Sequence, residues 1–276
     1  MQPIFPEDKK RISLRGQNWS RRQFFRHAIR LAEEGRLYDP GNGDQEDAFL
    51  GSVERFSWIA YELRGREKVL DIGPGNGILL SLLCELGHKC YAIDWTDAHV
   101  QLNPGIFVKD IEFKKCAVEI EPIPYPDNFF DGVTCCQVFE HFTHSHLHAI
   151  REMYRVLKPG GQAEVDVPNA VDFRNRSRVL RGKHITWDYE TEYLYKKPTY
   201  FGSTFFYDRH NREFTKEELG VLLKAGGFED VRLYFLKSSR YRKGLGKMLS
   251  IGSAVRDIVP SFRKSIIGFG VKTIRE

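Results

Sequence analysis

The sequence has few cysteines, and none of them are paired at a spacing typical of a metal site. Their odd number argues against a disulfide scaffold, and the missing spacing argues against a zinc site. A reducing compartment fits this composition. No apolar run is long enough to cross a bilayer, and the polar N-terminus lacks a signal peptide. We therefore expect a cytoplasmic protein that binds no metal. The five cysteines are Cys84, Cys90, Cys116, Cys135 and Cys136.

The bulk composition indicates a soluble globular chain. Its 276 residues are 41% hydrophobic and 29% charged, which suits one large α/β domain with additional segments. The net charge of +5 is unevenly placed. From Lys237 onward, ten basic and two acidic residues give +8, which leaves −3 for the rest. The basic character therefore belongs to the C-terminal segment.

A short strand followed by a glycine turn is predicted between Lys68 and Gly77, where the sequence reads Lys-Val-Leu-Asp-Ile-Gly-Pro-Gly-Asn-Gly. Val69, Leu70 and Ile72 form an apolar run of the length expected for a buried strand. The glycines then follow at alternate positions: Gly73, Gly75 and Gly77.

The glycine spacing distinguishes between two kinds of nucleotide site. A dinucleotide-binding turn needs a glycine three positions after its second one, and here that position is Ile78. That fingerprint also lacks the acidic residue that stands here at Asp71. The helix predicted from Ile78 to Leu86 completes a strand, turn and helix unit. In such a unit a ligand can approach the backbone closely.

The pattern Asp-x-Gly-x-Gly-x-Gly over 71–77 resembles motif I of the class I S-adenosylmethionine (SAM)-dependent methyltransferases, in particular their type 11-like domains. The resemblance implies SAM as the cofactor. It also implies that Asp71 faces the ammonium of the methionine moiety and that the glycines and Asn76 lie beneath the ligand. A glycine-rich loop without a ligand is the alternative.

A second strand is predicted to end at Asp94, 23 residues after Asp71. A carboxylate at that distance can accept hydrogen bonds from both ribose hydroxyls of a nucleoside that lies across the first turn. Capping of the next helix is the alternative role, although Thr96 already offers it. Trp95 either stacks on the adenine or packs as an edge aromatic.

A proline-rich stretch before the fourth strand extends the resemblance. Many of these methyltransferases have Asp-Ala-Glu there, then Pro-x-Pro-x-Pro-Asp and Phe-Asp. At Ala117 the sequence departs from the family, which usually has an aspartate that holds the adenine amino group. Base recognition is thus left to backbone groups or to another side chain. The matching residues are Glu119, Pro122, Pro124, Pro126, Asp127, Phe130 and Asp131. The implied cofactor contacts in this half of the match are Ala117, Val118 and Gln137.

The continuous match from Lys68 to Asn169 implies a Rossmann-like, doubly wound α/β fold with a seven-stranded, mostly parallel sheet. N-terminal helices, a substrate-lid insertion and a basic C-terminal tail complete the expected architecture. The predicted divisions are an N-terminal helical segment over 1–50, a methyltransferase domain over 51–236 with the lid at 170–210, and a basic amphipathic segment over 237–276.

Amphipathic patterns predict helices at both ends of the domain. Residues 19–34 place Phe24, Ala28 and Leu31 on one stripe. That helix would form a flap, face a membrane or dock on the domain edge. Thr215 and Glu218 have the spacing of a capping box at the start of a later helix. The C-terminal segment would either contact an anionic membrane at the inner face or dock on the domain.

The lid combines basic and aromatic residues. Such a mixture could bind nucleic acid, but aromatic rings also bind sugar faces, and its place after strand five favours a substrate lid over a nucleic-acid site. An ordinary packed insertion is the alternative. The basic residues are Arg174, Arg176, Arg178, Arg181 and Lys183. The aromatic residues are Trp187, Tyr189, Tyr193, Tyr195, Tyr200, Phe201, Phe205, Phe206 and Tyr207.

Two histidines are the candidate catalytic bases. His141 follows the carboxyl end of strand four, where open α/β sheets bind ligands, and His210 is brought in by the lid, as its last residue. Either could remove a hydroxyl proton near neutral pH, or could instead bond a loop carbonyl.

The predicted function is O-methylation of a sugar or glycan-linked acceptor. Pro168-Asn169 and the run from His210 to Thr215 resemble a branch common beside bacterial glycosyltransferases. A quinone, lipid or small metabolite is the alternative acceptor. A non-catalytic SAM-binding interaction protein is the third possibility.

Overall fold

The apolar runs of the sequence form one seven-stranded sheet in the computed structural model, which describes residues 18–39, 41–98, 111–186, 188–197, 209–237 and 256–273. In chain order the strands are β1 (Lys68–Ile72), β2 (Lys89–Asp94), β3 (Glu112–Lys115), β4 (Phe130–Cys136), β5 (Leu157–Pro168), β6 (Glu229–Leu236) and β7 (Ser265–Val271).

The strand order is β3-β2-β1-β4-β5-β7-β6. The first five strands are mutually parallel, and β7 runs antiparallel to both of its neighbours. The prediction of a seven-stranded, mostly parallel sheet is therefore confirmed. The order reverses between β1 and β4, so the carboxyl ends of these two strands flank the crevice where doubly wound sheets bind ligands.

Six α-helices lie in the described part of the chain, with a 3₁₀ turn after β4, another before β7 and a π-helical turn at Glu190–Leu194. The helices are α1 (Arg21–Glu33), α2 (Gly43–Glu62), α3 (Ile78–Glu85), α4 (His146–Val156), α5 (Phe173–Leu180) and α6 (Lys216–Ala225).

The core lies on both faces of the sheet. One apolar cluster joins α1, α2 and α3 to residues such as Val69 and Phe269. A second cluster joins α4 and α6 to residues such as Leu70 and Val133. Val69 and Leu70 are neighbours in β1 but belong to opposite clusters, as the two-residue repeat of a strand requires. The architecture is thus a sheet between two helical layers.

The helix predicted within residues 19–34 and the helix predicted to begin at Thr215 are both confirmed. α1 buries Phe24, Ala28 and Leu31 in the core, so it docks on the domain. In α6 the capping box is present, because Thr215 Oγ1 accepts from the Glu218 amide and the Glu218 carboxylate accepts from the Thr215 amide. The boundary predicted at residue 50 does not coincide with the structure, since it falls inside α2.

The prediction of a separate amphipathic segment over 237–276 is wrong for its second half. Residues 265–271 form β7, which lies between β5 and β6 and has a buried centre. Ile266 and Ile267 alternate between the two apolar clusters, so this is a two-sided core strand. Two basic side chains of this segment also form polar contacts within the protein. Arg256 pairs with Asp257, and Arg263 donates a hydrogen bond to the carbonyl of Phe235.

Several sequence predictions lie outside the described residues. They concern 1–17 of the N-terminal segment, Trp187 and 198–208 of the lid, and 238–255 of the basic segment. Membrane contact through 238–255 stays a prediction. Within the described ranges, no helix is both long and apolar enough to cross a membrane.

The position of β7 predicts the effect of a truncation. A chain that ends at Lys237 should lose cooperative unfolding, because β6 pairs only with β7 in the described sheet and the edge of β5 would be exposed. Urea denaturation followed by tryptophan fluorescence measures this. A chain that ends at Thr273 keeps β7 and is the control. Equal midpoints for the two truncated chains would show that β7 is dispensable.

Candidate active site

The glycine turn lies between β1 and α3 and has the backbone that glycine allows. Gly73, Gly75 and Gly77 have φ of 67°, 53° and 75°. A Cβ at Gly73 would stand 2.5 Å from Cγ2 of Val138, so the turn packs against the exit of β4. A Cβ at Gly75 would meet no described atom within 4 Å. The turn is therefore closed toward the sheet and open above Gly75. Asn76 is half-buried beside this opening.

Asp71 is buried in β1, two residues before the first glycine of the turn. Its side chain is 2% exposed, and Oδ1 accepts a hydrogen bond of 2.7 Å from the Thr134 hydroxyl. Burial raises the pKa of Asp71 to about 7, although the bond from Thr134 opposes the shift. Its predicted contact with a ligand ammonium stays a prediction.

Asp94 ends β2 at the same edge of the sheet. The residue is 8% exposed, and Oδ1 accepts from the amide of Thr96 at 3.3 Å. Burial raises the pKa of Asp94 to about 6. The Thr96 hydroxyl accepts from the amide of Ala98, so Thr96 provides the local cap. Trp95, which lies between Asp94 and Thr96 in the sequence, is half-buried.

Ala117 and Val118 follow β3, the next strand along this edge. The amide of Ala117 donates to the Glu121 carboxylate at 2.7 Å. Ala117 is half-buried and Val118 is 6% exposed. Both residues can offer van der Waals surface to a base, and their predicted cofactor contacts stay predictions.

Gln137 takes a left-handed backbone conformation just after β4, with φ of 55°. Its amide donates to the carbonyl of Asp166 at 2.9 Å, and its side-chain amide donates to Asp166 Oδ1. The same Oδ1 accepts from Nη1 of Arg55 at 3.1 Å. Neither Arg55 nor Asp166 was predicted from the sequence. Asp166 could have been recognised as a candidate site residue, because it is a charged residue within the buried run of β5.

The two predicted histidines lie next to each other. The rings of His141 and His210 meet edge to face with centroids 5.0 Å apart. His141 Nδ1 lies 3.0 Å from the carbonyl oxygen of Arg209. His210 Nδ1 lies 3.6 Å from Oε1 of Glu213. The fold thus brings the residues that follow β4 into contact with the end of the predicted lid.

Glu140 is a third member of this group that the sequence analysis missed. It is 0% exposed, and neither carboxyl oxygen has a hydrogen-bond partner among the described residues. Oε1 lies 4.0 Å from Nε2 of His141. Burial raises the pKa of Glu140 to about 8. Its position next to His141 in the sequence could have marked Glu140 as a candidate site residue.

Glu140, His141 and His210 could hold a metal ion. One ligand atom from each lies within 4.8 Å of the others, and two imidazoles with a carboxylate suit a transition metal. The sequence predicted no metal because no cysteine pair has metal-ligand spacing, and His210 lies 69 residues after His141.

Residues 44–233 match the family model of the methyltransferase domain. The match covers more than half of the chain, which therefore belongs to the methyltransferase-domain family.

A ubiquinone biosynthesis O-methyltransferase from Pseudomonas entomophila (strain L48) is 35% identical over 116 residues, which is 39% of this chain and 47% of that protein. The chain thus spans about half the length of the curated relatives it matches.

Solved structures share the fold. A complex of the Haloferax volcanii Trm112 methyltransferase activator with a methyltransferase matches with a TM-score of 0.57 and 15% identity, covering 91% of this chain and 98% of that one. A SAM-dependent methyltransferase from Archaeoglobus fulgidus matches with a TM-score of 0.51 and 17% identity, covering 79% and 94%.

The residues present fit SAM, the cofactor that the sequence resemblance implies. The open space above Gly75 gives room for a ligand against the backbone. Asp94 offers a nearly buried carboxylate at the end of β2, where an acceptor for ribose hydroxyls belongs.

Replacement of Asp94 should weaken SAM binding. Loss of its hydrogen bonds in Asp94→Ala should cost about 1.5–3 kcal/mol, or about ten- to a hundredfold in affinity. Titration calorimetry with SAM measures this. Asp97→Ala is the control, since Asp97 pairs with Lys115 instead. Unchanged affinity in both Asp71→Ala and Asp94→Ala would contradict the assignment of these anchors.

Asp71 should make the fold less stable as the pH rises. Its folded pKa of about 7 lies above the ordinary 3.8, so the folded state binds the proton more tightly. Stability should therefore fall between about pH 4 and pH 7. Asp71→Asn should unfold with a free energy higher by about 1–3 kcal/mol at pH 8, and the gain should shrink at pH 5.

Urea denaturation at both pH values measures this difference. Asp131→Asn is the control, and its change in stability should have the opposite sign. Burial alone would raise the pKa of Asp131, but the bond from Lys158 holds it below the ordinary value. That variant should lose stability near pH 7. Identical pH profiles for wild type and Asp71→Asn would contradict the role given to Asp71.

Proposed function

We propose that the chain methylates a hydroxyl oxygen, with His141 or His210 as the general base. The supporting observation is the histidine pair at the carboxyl edge of the sheet, in which each ring has a carboxyl group nearby. The separations are 4.0 Å between His141 Nε2 and Glu140 Oε1 and 3.6 Å between His210 Nδ1 and Glu213 Oε1.

When bound, SAM supplies a methyl group already activated on a sulfonium. The protein residues have to hold the acceptor in line with that group and take up its proton. Since the Arg209 carbonyl can only accept, Nδ1 of His141 carries the proton of the neutral ring. Nε2 is then the basic nitrogen, and it faces Glu140. An ionised Glu140 would stabilise the imidazolium that forms, and because burial raises the pKa of Glu140 to about 8, this effect is largest above that pH.

The acceptor we favour is a ring hydroxyl of a quinone precursor. Support comes from the curated relatives, which are O-methyltransferases of ubiquinone biosynthesis. The sugar acceptor expected from the sequence finds no support in these relatives. One observation keeps it as a second candidate, because the residues Tyr189 and Tyr195 in the predicted lid are 68% and 71% exposed and their rings could contact a sugar face.

Loss of the catalytic histidine should reduce turnover and leave cofactor binding intact. His141→Ala or His210→Ala should lower kcat by about 10²–10⁴-fold, with the SAM affinity unchanged. Methyl transfer from labelled SAM measures turnover. His144→Ala is the matched control, because His144 is an exposed histidine of the same loop that bonds Glu119. Near-normal rates in both variants would remove histidine from the mechanism.

An acceptor panel tests the substrate class. Phenolic quinone precursors should be methylated with a kcat/KM well above that of sugar nucleotides and glycans. Mass spectrometry locates the new methyl group. A product methylated on a sugar would favour the second candidate, and one methylated on nitrogen or carbon would contradict a hydroxyl acceptor.

A further inference from the structure

We propose that Cys136, Glu164 and Asp166 form a binding site for zinc or a similar divalent cation beneath α2. The parallel register of β4 and β5 places Cys136 opposite Asp166. Glu164 lies two residues before Asp166, on the same face of the sheet. The thiol sulfur and one oxygen from each carboxyl group lie within 4.8 Å of one another. Three ligands are thus assembled by two adjacent strands.

Two carboxyl oxygens in this cluster have no hydrogen-bond partner among the described residues, namely Oε1 of Glu164 and Oδ2 of Asp166. Both residues are 0% exposed. The donors that reach Asp166, from Arg55 and Gln137, both bond Oδ1. The thiol of Cys136 reaches only Oε2 of Glu164, at 3.4 Å. Buried carboxylate oxygens without donors are costly, and a cation would satisfy both.

The charge balance favours a divalent ion. A thiolate and two carboxylates carry three negative charges, and Arg55 is the cation that pairs with this cluster. A divalent ion brings the sum to zero, whereas without it protons must neutralise the ligands. Metal binding at this site would therefore displace protons.

The ligand types select the metal. A thiolate with two carboxylates suits zinc better than magnesium or calcium, which prefer oxygen ligands alone. Cys136 is half-buried and both carboxylates are enclosed. Because the strands fix all three ligands, we expect the ion to enter as the chain folds and to stabilise the fold. The site is distinct from the Glu140, His141 and His210 cluster.

Cobalt substitution tests the proposal. The full chain is refolded under reducing conditions with Co²⁺, which gives a thiolate charge-transfer absorption only when sulfur is a ligand. We expect one such band that saturates at one cobalt per chain and a higher midpoint of thermal unfolding with Zn²⁺. Cobalt on the histidine cluster would give no thiolate band.

The variants separate this site from other thiols. Cys136→Ser should abolish the band, while Cys135→Ser should keep it, because Cys135 belongs to the apolar cluster on the opposite face. Glu164→Gln keeps the shape of the side chain and should weaken cobalt binding by about tenfold or more. It also serves as the test if Cys136→Ser fails to fold. No band in the wild type, a band that survives in Cys136→Ser, or full affinity in Glu164→Gln would overturn the proposal.

Discussion

The ion pair between Arg55 and Asp166 connects the parts of the molecule that make the site. Arg55 belongs to α2, Asp166 to the carboxyl end of β5, and Gln137 at the exit of β4 bonds the same oxygen. A buried carboxylate without a partner would be costly, so the cation of α2 has to stay in place. The ion pair therefore holds α2 against the carboxyl edge of the sheet, where the glycine turn also lies.

The same edge concentrates acidic groups in the protein interior. Asp71 and Glu140 are each at most 2% exposed, and burial raises the pKa of both carboxyl groups. Such groups reduce stability at neutral pH, and shifted values of this kind are common at functional sites. The apolar clusters on both faces of the sheet offset this cost. Acidic groups at this edge suit the cofactor that the sequence resemblance implies, because SAM carries both an ammonium and a sulfonium.

Local patterns predicted much of this fold, since the elements in question are decided by nearby residues. The glycine turn, the strand that ends at Asp94 and the capping box of α6 all follow from short-range geometry. The strand β7 was missed because its buried run, Ile266 to Phe269, follows a basic stretch and joins the sheet out of chain order.

The candidate site was predicted only where its residues stand beside a motif. His141 follows the fourth strand directly and was found. Asp166, Glu164 and Arg55 were missed because their relation depends on strand register and on the way α2 crosses the sheet. Glu140 is adjacent to His141 in sequence, but the third member of the cluster, His210, lies 69 residues further along the chain, and no local pattern indicates that contact.

A crystal structure with S-adenosylhomocysteine tests the central claim most directly. The account predicts that the ligand lies over Gly75, with its ribose hydroxyls within hydrogen-bond distance of Asp94 and its sulfur toward Gln137 and the histidine pair. A ligand bound elsewhere, or one whose ribose makes no contact with Asp94, would contradict it.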